Sequence, residues 1–240
     1  MNKLSLVVPA YNEHERIYQT LKEIGKTFDN SIVDYEVVVV DDGSKDRTHC
    51  EVERAIIENP KIKLIRQENF GKGSALKNGV FQTSGDLIAF IDADLDLHPK
   101  QLNKFMQIME ETNADIVIGS KRHPDSRIEY PLKRRILSQM YQYMILILFH
   151  LNVRDTQVGL KLFKREPILH IMPKILVKRY AFDLEVLVNA TRMGYNIKEA
   201  PIYLNFQRFE NRIKIHEIKD IFKDTIAIYY RLHILKYYDK

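Results

Sequence analysis

Short apolar runs alternate with amphipathic stretches through the first half of the 240-residue chain. The runs are rich in β-branched side chains, which is typical of buried strands. We predict strands at Leu4–Val8, Tyr35–Val40, Ile62–Ile65, Asp86–Ile91 and Asp115–Gly119. Between the first two runs, Ile17, Leu21 and Ile24 recur at helical spacing and should face a core. Strands that alternate with helices predict an α/β fold in which helices flank a mostly parallel central sheet.

Two local signals predict where helices begin. Asn12 precedes an amphipathic stretch, and Glu15 lies three residues after Asn12, which is the spacing of a capping box. Pro99 follows the fourth predicted strand, and proline is favoured at the first position of a helix. We therefore expect Asn12 to cap one helix and Pro99 to open another.

Composition and charge narrow the class of protein. The hydrophobic fraction is 45% and the charged fraction 29%, as in ordinary globular proteins. The net charge of +5 is compatible with an anionic partner but does not require one. Cys50 is the only cysteine, so we expect no disulfide framework and a reducing, cytoplasmic environment. The first residues lack a signal-peptide pattern, and no repeat or linker divides the chain, which favours one catalytic unit.

An acidic turn follows the fourth predicted strand. Asp92, Asp94 and Asp96 alternate with small or apolar residues where that strand ends. The carboxyl ends of strands are where open α/β sheets bind ligands. Three carboxylates there would repel one another unless a cation lay between them, and oxygen ligands favour Mg²⁺ or Mn²⁺. The alternative is a solvated acidic turn.

Two further loops carry polar residues that suit a nucleotide. Asp41 and Asp42 end the second predicted strand, where a carboxylate can accept from a base or a ribose, or can cap a helix. Gly71, Lys72 and Gly73 form a glycine-rich basic turn before a predicted helix. This turn matches neither the Walker pattern nor the dinucleotide fingerprint, so it predicts either a phosphate contact or a simple turn.

Four motifs together resemble a known family. They are VVPAYNE (7–13), VVVDDGS (38–44), NFGKGSAL (69–76) and DADL (92–95). In this order and spacing they are similar to the nucleotide-sugar transferase fold called GT-A, and more narrowly to glycosyltransferase family 2. In the second half, DTQVGLKLFKRE (155–166) and RYAFDLEVL (179–187) resemble the dolichyl-phosphate β-glucosyltransferase branch of that family.

The resemblance implies roles for individual residues. A metal, Mg²⁺ or Mn²⁺, would lie on Asp92 and Asp94. Family members often have glutamine where this chain has Asp96, which would either ligate the metal or add charge. His98 is expected to cap or pack rather than to bind metal. The residues implied to hold the nucleotide-sugar are Pro9, Ala10, Tyr11, Glu13, Asp41, Asp42, Lys72, Asp92, Ala93, Asp94, Gln157 and Asp183.

The implied chemistry is the displacement of a nucleoside diphosphate from a sugar. A metal at Asp94 would neutralise the leaving diphosphate. A phosphate acceptor is already anionic near neutral pH, so we expect in-line displacement with inversion and little need for a base. Asp155 is the candidate if a base is used. Asp183 and Glu185 would orient sugar hydroxyls, although Asp183 is equally well explained as a helix cap.

The acceptor side should be basic. Between residues 121 and 135 six basic residues stand against two acidic ones. We expect Lys121, Arg122, Arg134 and Arg135 to bind an acceptor phosphate, with Arg122 among the catalytic residues. A solvated surface loop would also explain the charges, and so would nucleic-acid binding, although no recognition module is visible.

Two stretches suit the surface of a membrane. Ile136–Val153 carries no formal charge, but its apolar core Met144–Phe149 is too short to cross a bilayer. The stretch Ile215–Tyr238 combines helical apolar spacing with basic and aromatic residues. We expect a peripheral protein on the cytoplasmic side of the membrane, although core packing explains the spacing equally well. The expected division is a catalytic domain at 1–210, with a nucleotide-sugar half (1–120) and an acceptor half (121–210), and an amphipathic helix at 211–240.

The sequence therefore predicts an inverting, metal-dependent glycosyltransferase that moves glucose from UDP-glucose to dolichyl or polyprenyl phosphate. A GDP-mannose-dependent synthase and an enzyme that acts on a sugar hydroxyl are the alternatives within the class. A binding protein that keeps the fold without turnover is the alternative outside it. The presence of Lys72, Asp92, Asp94 and Asp155 favours an enzyme.

Overall fold

A seven-stranded sheet forms the centre of the molecule. The computed structural model describes residues 3–29, 31–128, 132–204 and 215–239, and the side chains of these residues except at 132–138 and 215–218. The strands of the sheet are β1 (Leu4–Ala10), β2 (Tyr35–Asp42), β3 (Ile62–Gln67), β4 (Leu87–Phe90), β5 (Ile116–Ser120), β7 (Lys161–Lys164) and β8 (Ile197–Pro201). Their order is β3-β2-β1-β4-β7-β5-β8. A separate pair is formed by β6 (Arg127–Ile128) and β9 (Tyr203–Leu204).

The prediction of an α/β fold with a mostly parallel sheet is confirmed. All strand pairs of the sheet are parallel except those of β7, which runs antiparallel to both β4 and β5. This reversal was not predicted. It brings the chain after residue 155 back to the middle of the sheet, beside the strand that ends in the acidic turn.

Helices cover both faces of the sheet. They are α1 (Ile17–Phe28), α2 (Thr48–Glu58), α3 (Lys72–Phe81), α4 (Leu102–Thr112), α5 (Leu132–Phe149), α6 (Arg165–Ile171), α7 (Phe182–Arg192) and α8 (Ile215–Tyr229). Buried residues of α1, α2 and α4 pack on one face, and the predicted inward side chains Ile17, Leu21 and Ile24 are among them. Buried residues of α3, α5, α6, α7 and α8 pack on the other.

All five predicted strands end at a different residue in the structure: β4 ends one residue earlier than predicted and the other four end later. β1 continues through Pro9 to Ala10 instead of ending before Pro9. Pro9 is in register with Val40 of β2, whereas β4 pairs with β1 only as far as Val7. Pro9 therefore lies beyond the last residue pair between β1 and β4. Its lack of a backbone N–H costs little at this position. β2 likewise runs on to Asp42, and β5 runs from Ile116 to Ser120.

Of the two predicted helix starts, one is wrong. Helix α1 begins at Ile17 and Asn12 does not cap it. Asn12 has a positive φ of 55°, donates its N–H to Ser44 Oγ at 3.0 Å and accepts from Lys45 N at 2.9 Å. Its side chain joins two loops rather than starting a helix. Pro99 does open a short 3₁₀ turn that runs into α4, and His98 caps it by accepting from Lys100 N at 3.1 Å, as expected.

The long uncharged stretch forms α5, which lies against the domain. Ile145 and Phe149 are buried in the core, while Met140, Tyr143 and Ile147 are exposed. Helix α8 packs beside it, and Tyr141 Oη lies 3.0 Å from Thr225 Oγ1. Among the residues with assigned structure, no helix combines the length and the apolar character that a membrane crossing requires.

Glu36 anchors the amino end of the sheet, far along β2 from the predicted site. Its side chain is buried and accepts from Ser5 Oγ at 2.7 Å, Ser84 N at 2.6 Å and Lys63 Nζ at 2.9 Å. Burial opposes the charge of Glu36, but the Lys63 ammonium and these hydrogen bonds lower the pKa of its carboxyl to about 2.

This lowered pKa predicts an acid-dependent contribution to stability. A depressed carboxylate pKa stabilises the fold above the unfolded value of about 4.3, and the stabilisation is lost as pH falls toward 2. Glu36→Gln should therefore lower the free energy of unfolding by about 2 kcal/mol at neutral pH. Urea unfolding across pH should show the difference shrinking in acid. The exposed-site control Glu110→Gln should lie within about 0.5 kcal/mol of the wild type, and equal behaviour of both variants would contradict the assignment.

Candidate active site

Three parallel strands bring their carboxyl ends to one edge of the sheet. β1 lies between β2 and β4, so the loops after Ala10, after Asp42 and after Phe90 are neighbours. This is the edge at which open α/β sheets bind ligands. Nine of the twelve residues predicted for the nucleotide-sugar lie in these loops or in the last two residues of β1 and β2. A cavity of about 400 Å³ opens at this edge, lined by Asn12, Glu13, His14, Glu15, Lys45 and Asp46.

The two carboxylates that end β2 have different surroundings. Asp42 accepts from Phe70 N at 3.0 Å, Gly71 N at 2.8 Å and Gln67 Nε2 at 2.7 Å, so it holds the glycine-rich turn in place. Asp41 accepts from Ser44 N at 2.9 Å and lies 3.5 Å from Arg66 Nε. Both were predicted to contact the nucleotide. The geometry uses Asp42 to position the chain, and the Asp41 side chain is completely buried, so a contact of either carboxylate with the nucleotide stays a prediction.

The glycine-rich turn delivers Lys72 to the acidic turn. Lys72 Nζ lies 2.5 Å from Asp92 Oδ1, and the lysine side chain is 44% exposed. Gly71 has φ of 101°, and a Cβ at that position would come within 2.6 Å of Lys178 O. Only glycine therefore allows this close approach of two loops. Burial works against the charge of Lys72, but the carboxylates of Asp92 and Asp183 raise its pKa above the usual value.

The acidic turn carries more negative charge than its surroundings balance. Burial disfavours the charge of Asp92, yet the Lys72 ammonium holds the pKa of that carboxyl below its usual value. Burial together with the charges of Asp92, Asp96 and Glu13 raises the pKa of Asp94 to about 6. Asp94 Oδ1 accepts from Asp96 N at 3.2 Å, which closes the turn.

These residues fit a hard divalent cation that takes only part of its coordination from the protein. In the described segments, no three acidic, histidine or cysteine side chains already form a complete metal cage. Carboxylate oxygens with excess negative charge are nevertheless the donor set of Mg²⁺ and Mn²⁺, which commonly share their shell with substrate phosphates. Asp92 and Asp94 would hold such an ion, and it would supply charge neutralisation to a leaving diphosphate.

Asp155 organises the acceptor side of the site. Its carboxylate is 2% exposed and accepts from Lys121 N at 3.0 Å and Gln157 N at 3.1 Å. Lys121 Nζ lies 3.7 Å from it and Arg122 Nη1 lies 3.9 Å from it. Asp155 thus gathers two of the four basic side chains that were predicted to bind an acceptor phosphate. A base would need a freer carboxylate, so the geometry favours a positioning role over the predicted catalytic one.

Of the other residues predicted to bind the acceptor, the structure describes the backbone but not the side chains. Arg134 and Arg135 lie in the first turn of α5, and their side chains fall outside the described residues. Arg122 Nη1 donates to Arg154 O at 2.8 Å. A second cavity of about 500 Å³ begins at Arg122 and continues along α5 and β8, with Gln142, Tyr143 and Leu146 in its lining.

The reversed strand β7 adds a residue that sequence reasoning missed. Lys161 is buried, and its Nζ lies 2.7 Å from Asp183 Oδ1 and bonds to Val158 O. Gly159 lies just before β7 and packs directly against the Asp92 carboxylate. A Cβ at Gly159 would collide with that carboxylate. The sequence did carry a signal for Lys161, because this charged residue lies inside the apolar run VGLKLF and a buried lysine needs a partner.

Asp183 and Glu185 were predicted to act together, and the structure separates them. Asp183 lies at the start of α7 and pairs with Lys161, which leaves it 13% exposed beside the candidate site. Glu185 is completely buried and accepts from the backbone N–H groups of Leu176 and Val177, at 2.9 Å and 2.7 Å. The prediction that Glu185 orients sugar hydroxyls is wrong, because residues two apart on a helix face different directions.

The α/β fold, the acidic turn at its ligand-binding edge and the adjoining lysine define a nucleotide-sugar transferase of the glycosyltransferase class. The profile of glycosyl transferase family 2 matches residues 5–171. The chain belongs to this family.

Similar sequences agree with the assignment to the family, and a solved structure shares the fold. A dolichyl-phosphate β-glucosyltransferase of Trichomonas vaginalis is 34% identical over 249 aligned positions, covering 99% of this chain and 76% of its own. A protein of the same name from Dictyostelium discoideum is 33% identical over 83% of this chain and 65% of its own. Among solved structures, glucosyl-3-phosphoglycerate synthase of Mycobacterium tuberculosis, in complex with Mn²⁺, UDP and glucosyl-3-phosphoglycerate, superposes with a TM-score of 0.73. It is 22% identical, and the match covers 95% of this chain and 79% of that one, which supports the GT-A fold.

Proposed function

We propose that the protein transfers glucose from UDP-glucose to dolichyl or another polyprenyl phosphate, with inversion and with Mg²⁺ or Mn²⁺ at Asp92 and Asp94. The observation that carries the proposal is the extent of the similarity to proteins named dolichyl-phosphate β-glucosyltransferase. It covers 99% of the chain and so includes both the acidic turn and the Asp155 region. The same family could in principle serve many acceptors, but these relatives are similar across the acceptor half as well.

The donor half suits a nucleoside diphosphate sugar. Tyr11 is 43% exposed just after β1, where its ring can stack on a base. Lys72 places an ammonium beside the carboxylates where a diphosphate would carry its charge. Structures of the Mycobacterium enzyme hold Mn²⁺ and UDP-glucose on the same fold, which supports uracil as the base and glucose as the sugar.

The acceptor half suits a phosphate monoester. Lys121 and Arg122 supply cationic groups, and the Asp155 carboxylate fixes both without cancelling the local charge. In the proposed step an acceptor phosphate oxygen forms a bond to the anomeric carbon as the bond to the diphosphate oxygen breaks. UDP leaves with both electrons of that bond, and inversion follows from attack on the opposite face. Since the acceptor is already an anion, no protein base has to remove a proton.

A polyprenyl acceptor also places the enzyme at a membrane. Exposed apolar side chains on α5 and α8, among them Tyr143, Ile147 and Ile226, give a surface that can contact lipid headgroups and acyl chains. We propose peripheral attachment through this surface on the cytoplasmic side, with the basic residues near Arg122 next to anionic headgroups. Sedimentation with anionic vesicles at low and high salt tests this, and equal binding to neutral and anionic vesicles would contradict the electrostatic part.

Asp155 provides a test that separates positioning from base catalysis. Asp155→Asn should lower kcat/KM for a prenyl phosphate acceptor by about a hundredfold, because it removes the charge that holds Lys121 and Arg122. The pH dependence of the residual rate should keep the shape seen for the wild type. Loss of the acidic limb of that profile, where protonation of a base would stop the reaction, would instead identify Asp155 as the general base. Asp125→Asn is the matched control and should leave the rate unchanged, because Asp125 is a largely exposed carboxylate in the loop that carries Lys121 and Arg122.

The direct test of the proposed function is a panel of donors with a short prenyl phosphate. UDP-glucose, UDP-galactose and GDP-mannose are each supplied with Mn²⁺, and the product is identified by mass. Transfer from UDP-glucose is the expected result. Transfer from GDP-mannose alone would replace the proposal with a mannose synthase, and nucleotide binding without transfer to any acceptor would indicate a binding protein.

A further inference from the structure

Glu185 has an unusual position for a carboxylate so close to the site. It lies two residues after Asp183 on α7, and its side chain is completely buried. One oxygen accepts from the backbone N–H groups of Leu176 and Val177. The other accepts from Arg231 Nη1 at 2.7 Å and from the Tyr238 hydroxyl. Both oxygens are therefore fully used, and none of these partners belongs to the candidate site itself.

The two side-chain partners of Glu185 come from the segment after α8. Arg231 is 15% exposed and also donates from Nε to Ala227 O at 3.0 Å. Tyr238 is 1% exposed, and its carbonyl accepts from Arg192 Nη1 at 2.5 Å and Lys174 Nζ at 3.2 Å. Burial and the neighbouring Glu185 carboxylate raise the pKa of the Tyr238 hydroxyl, so that it donates its proton to Glu185 at all ordinary pH values.

The backbone that Glu185 holds leads directly to the donor side of the site. Leu176 and Val177 begin a loop that ends where α7 starts, and Lys178 lies in it. Lys178 O accepts from Gly73 N at 2.8 Å and from Ser74 N at 3.3 Å, which are amides of the first turn of α3. At the other end of this loop, Lys77 Nζ donates to Ile175 O at 2.9 Å.

Packing makes this contact between the loop and α3 tight. A Cβ at Gly71 would meet Lys178 O at 2.6 Å, and a Cβ at Gly73 would meet the Phe182 side chain at 2.6 Å. Lys178 Nζ also lies 5.3 Å from the centre of the Phe70 ring. Lys72 stands between the two glycines, so the position of the Lys178 backbone sets the position of the residue that reaches Asp92.

We propose that Glu185, Arg231 and Tyr238 form a positioning cluster by which the segment after α8 holds the 175–181 loop, and through it Lys72, in the conformation that binds the donor diphosphate. The inference rests on the proposed function, because it assigns the cluster a role in binding a nucleoside diphosphate. The cluster touches neither substrate nor metal, and its effect reaches the site only through the Lys178 backbone.

Electrostatics make the cluster sensitive to single changes. A buried carboxylate that loses one charged partner keeps its desolvation penalty without the compensating attraction. The loop amides of Leu176 and Val177 then lose a well-placed acceptor as Glu185 shifts toward water. Tyr238→Phe is the mildest change, because it removes one hydroxyl and keeps the buried ring.

The test compares substitutions inside the cluster with one outside it. Tyr238→Phe and Arg231→Gln are measured in the full chain, and Tyr230→Phe serves as matched control because Tyr230 is 50% exposed in the same segment. We expect the Kd for UDP with Mn²⁺ to rise about tenfold in both cluster variants. A change of this size is smaller than the full free-energy contribution of a hydrogen bond to a charged group. The KM for the prenyl phosphate acceptor should not change, and Arg231→Lys should recover part of the donor affinity.

A readout that needs no ligand separates this inference from the proposed function. Amide hydrogen exchange at Gly73 and Ser74 should become faster in Tyr238→Phe and stay unchanged in Tyr230→Phe, because these amides depend on Lys178 O. Unchanged exchange and an unchanged Kd, with only a lower unfolding temperature, would overturn the positioning role and leave a structural one. If the wild type binds GDP and not UDP, the donor assignment falls, and the same comparison made with GDP still decides the role of the cluster.

Discussion

Replacing Asp94 by Asn is expected to lower kcat for sugar transfer by about a thousandfold while leaving the fold intact. Burial of the side chain and the charges of Asp92, Asp96 and Glu13 raise the pKa of Asp94 to about 6, so the charged form of this carboxylate needs compensation from a cation. A divalent ion would supply that compensation. The substitution removes charge where the departing diphosphate becomes more negative, an effect that typically costs 10²–10³ in rate.

Nucleotide binding gives a second readout of the same variant. Mn²⁺ should tighten UDP binding to the wild type, and Asp94→Asn should remove most of that enhancement without affecting the weaker binding seen in chelator. Asp34→Asn, an exposed carboxylate just before β2, is the control and should behave as the wild type does. Full activity of Asp94→Asn, or activity of the wild type that survives excess chelator, would contradict the metal assignment.

Neutralising Lys121 and Arg122 together is expected to lower kcat/KM for a prenyl phosphate by about a hundredfold and to leave UDP affinity unchanged. Both side chains lie within 4 Å of Asp155, are about one quarter exposed and are presented at the end of β5. A charge-assisted contact to phosphate is worth roughly 1.5–3 kcal/mol, so the loss of two contacts accounts for this size. The measurement is a steady-state comparison with a short, water-soluble prenyl phosphate.

The control for this pair is a basic residue of similar type on another face. Arg54→Gln lies on α2 and changes a 60% exposed side chain, so it should leave kcat/KM unchanged. The variant Arg122→Lys should keep part of the activity, since it preserves the positive charge but loses the bidentate contact that an arginine can make with a phosphate. An unchanged rate for the double Gln variant would show that the phosphate is bound elsewhere, with Arg134 and Arg135 as the remaining predicted candidates.

The α/β fold could be predicted from the spacing of apolar residues along the chain, because each strand and helix is encoded largely by its own residues. The runs at Leu4, Tyr35 and Ile62 are apolar because both faces of β1, β2 and β3 are covered, wholly or in part. The exits of β2 and β4 were equally visible, since polar residues interrupt apolar runs there. The direction of β7 was not visible, because pairing across a sheet depends on contacts distant in sequence.

The same reason explains the errors in the site. Asn12 fits the capping pattern, yet a contact with Lys45 thirty-three residues away decides its conformation. Glu185 stands beside Asp183 in the motif, yet its partner Tyr238 is fifty-three residues further on. Lys161 was overlooked for this reason as well, because only the fold brings Asp183 to it.

The most direct test of the central claim is transfer of glucose from UDP-glucose to a short prenyl phosphate by the wild type, with Asp94→Asn and Asp34→Asn measured in parallel. The account predicts a glucosyl phosphate product in the presence of Mn²⁺, loss of that product in chelator and in Asp94→Asn, and no loss in Asp34→Asn. Absence of product from UDP-glucose, with efficient transfer from another donor or to an acceptor without a phosphate, would contradict it.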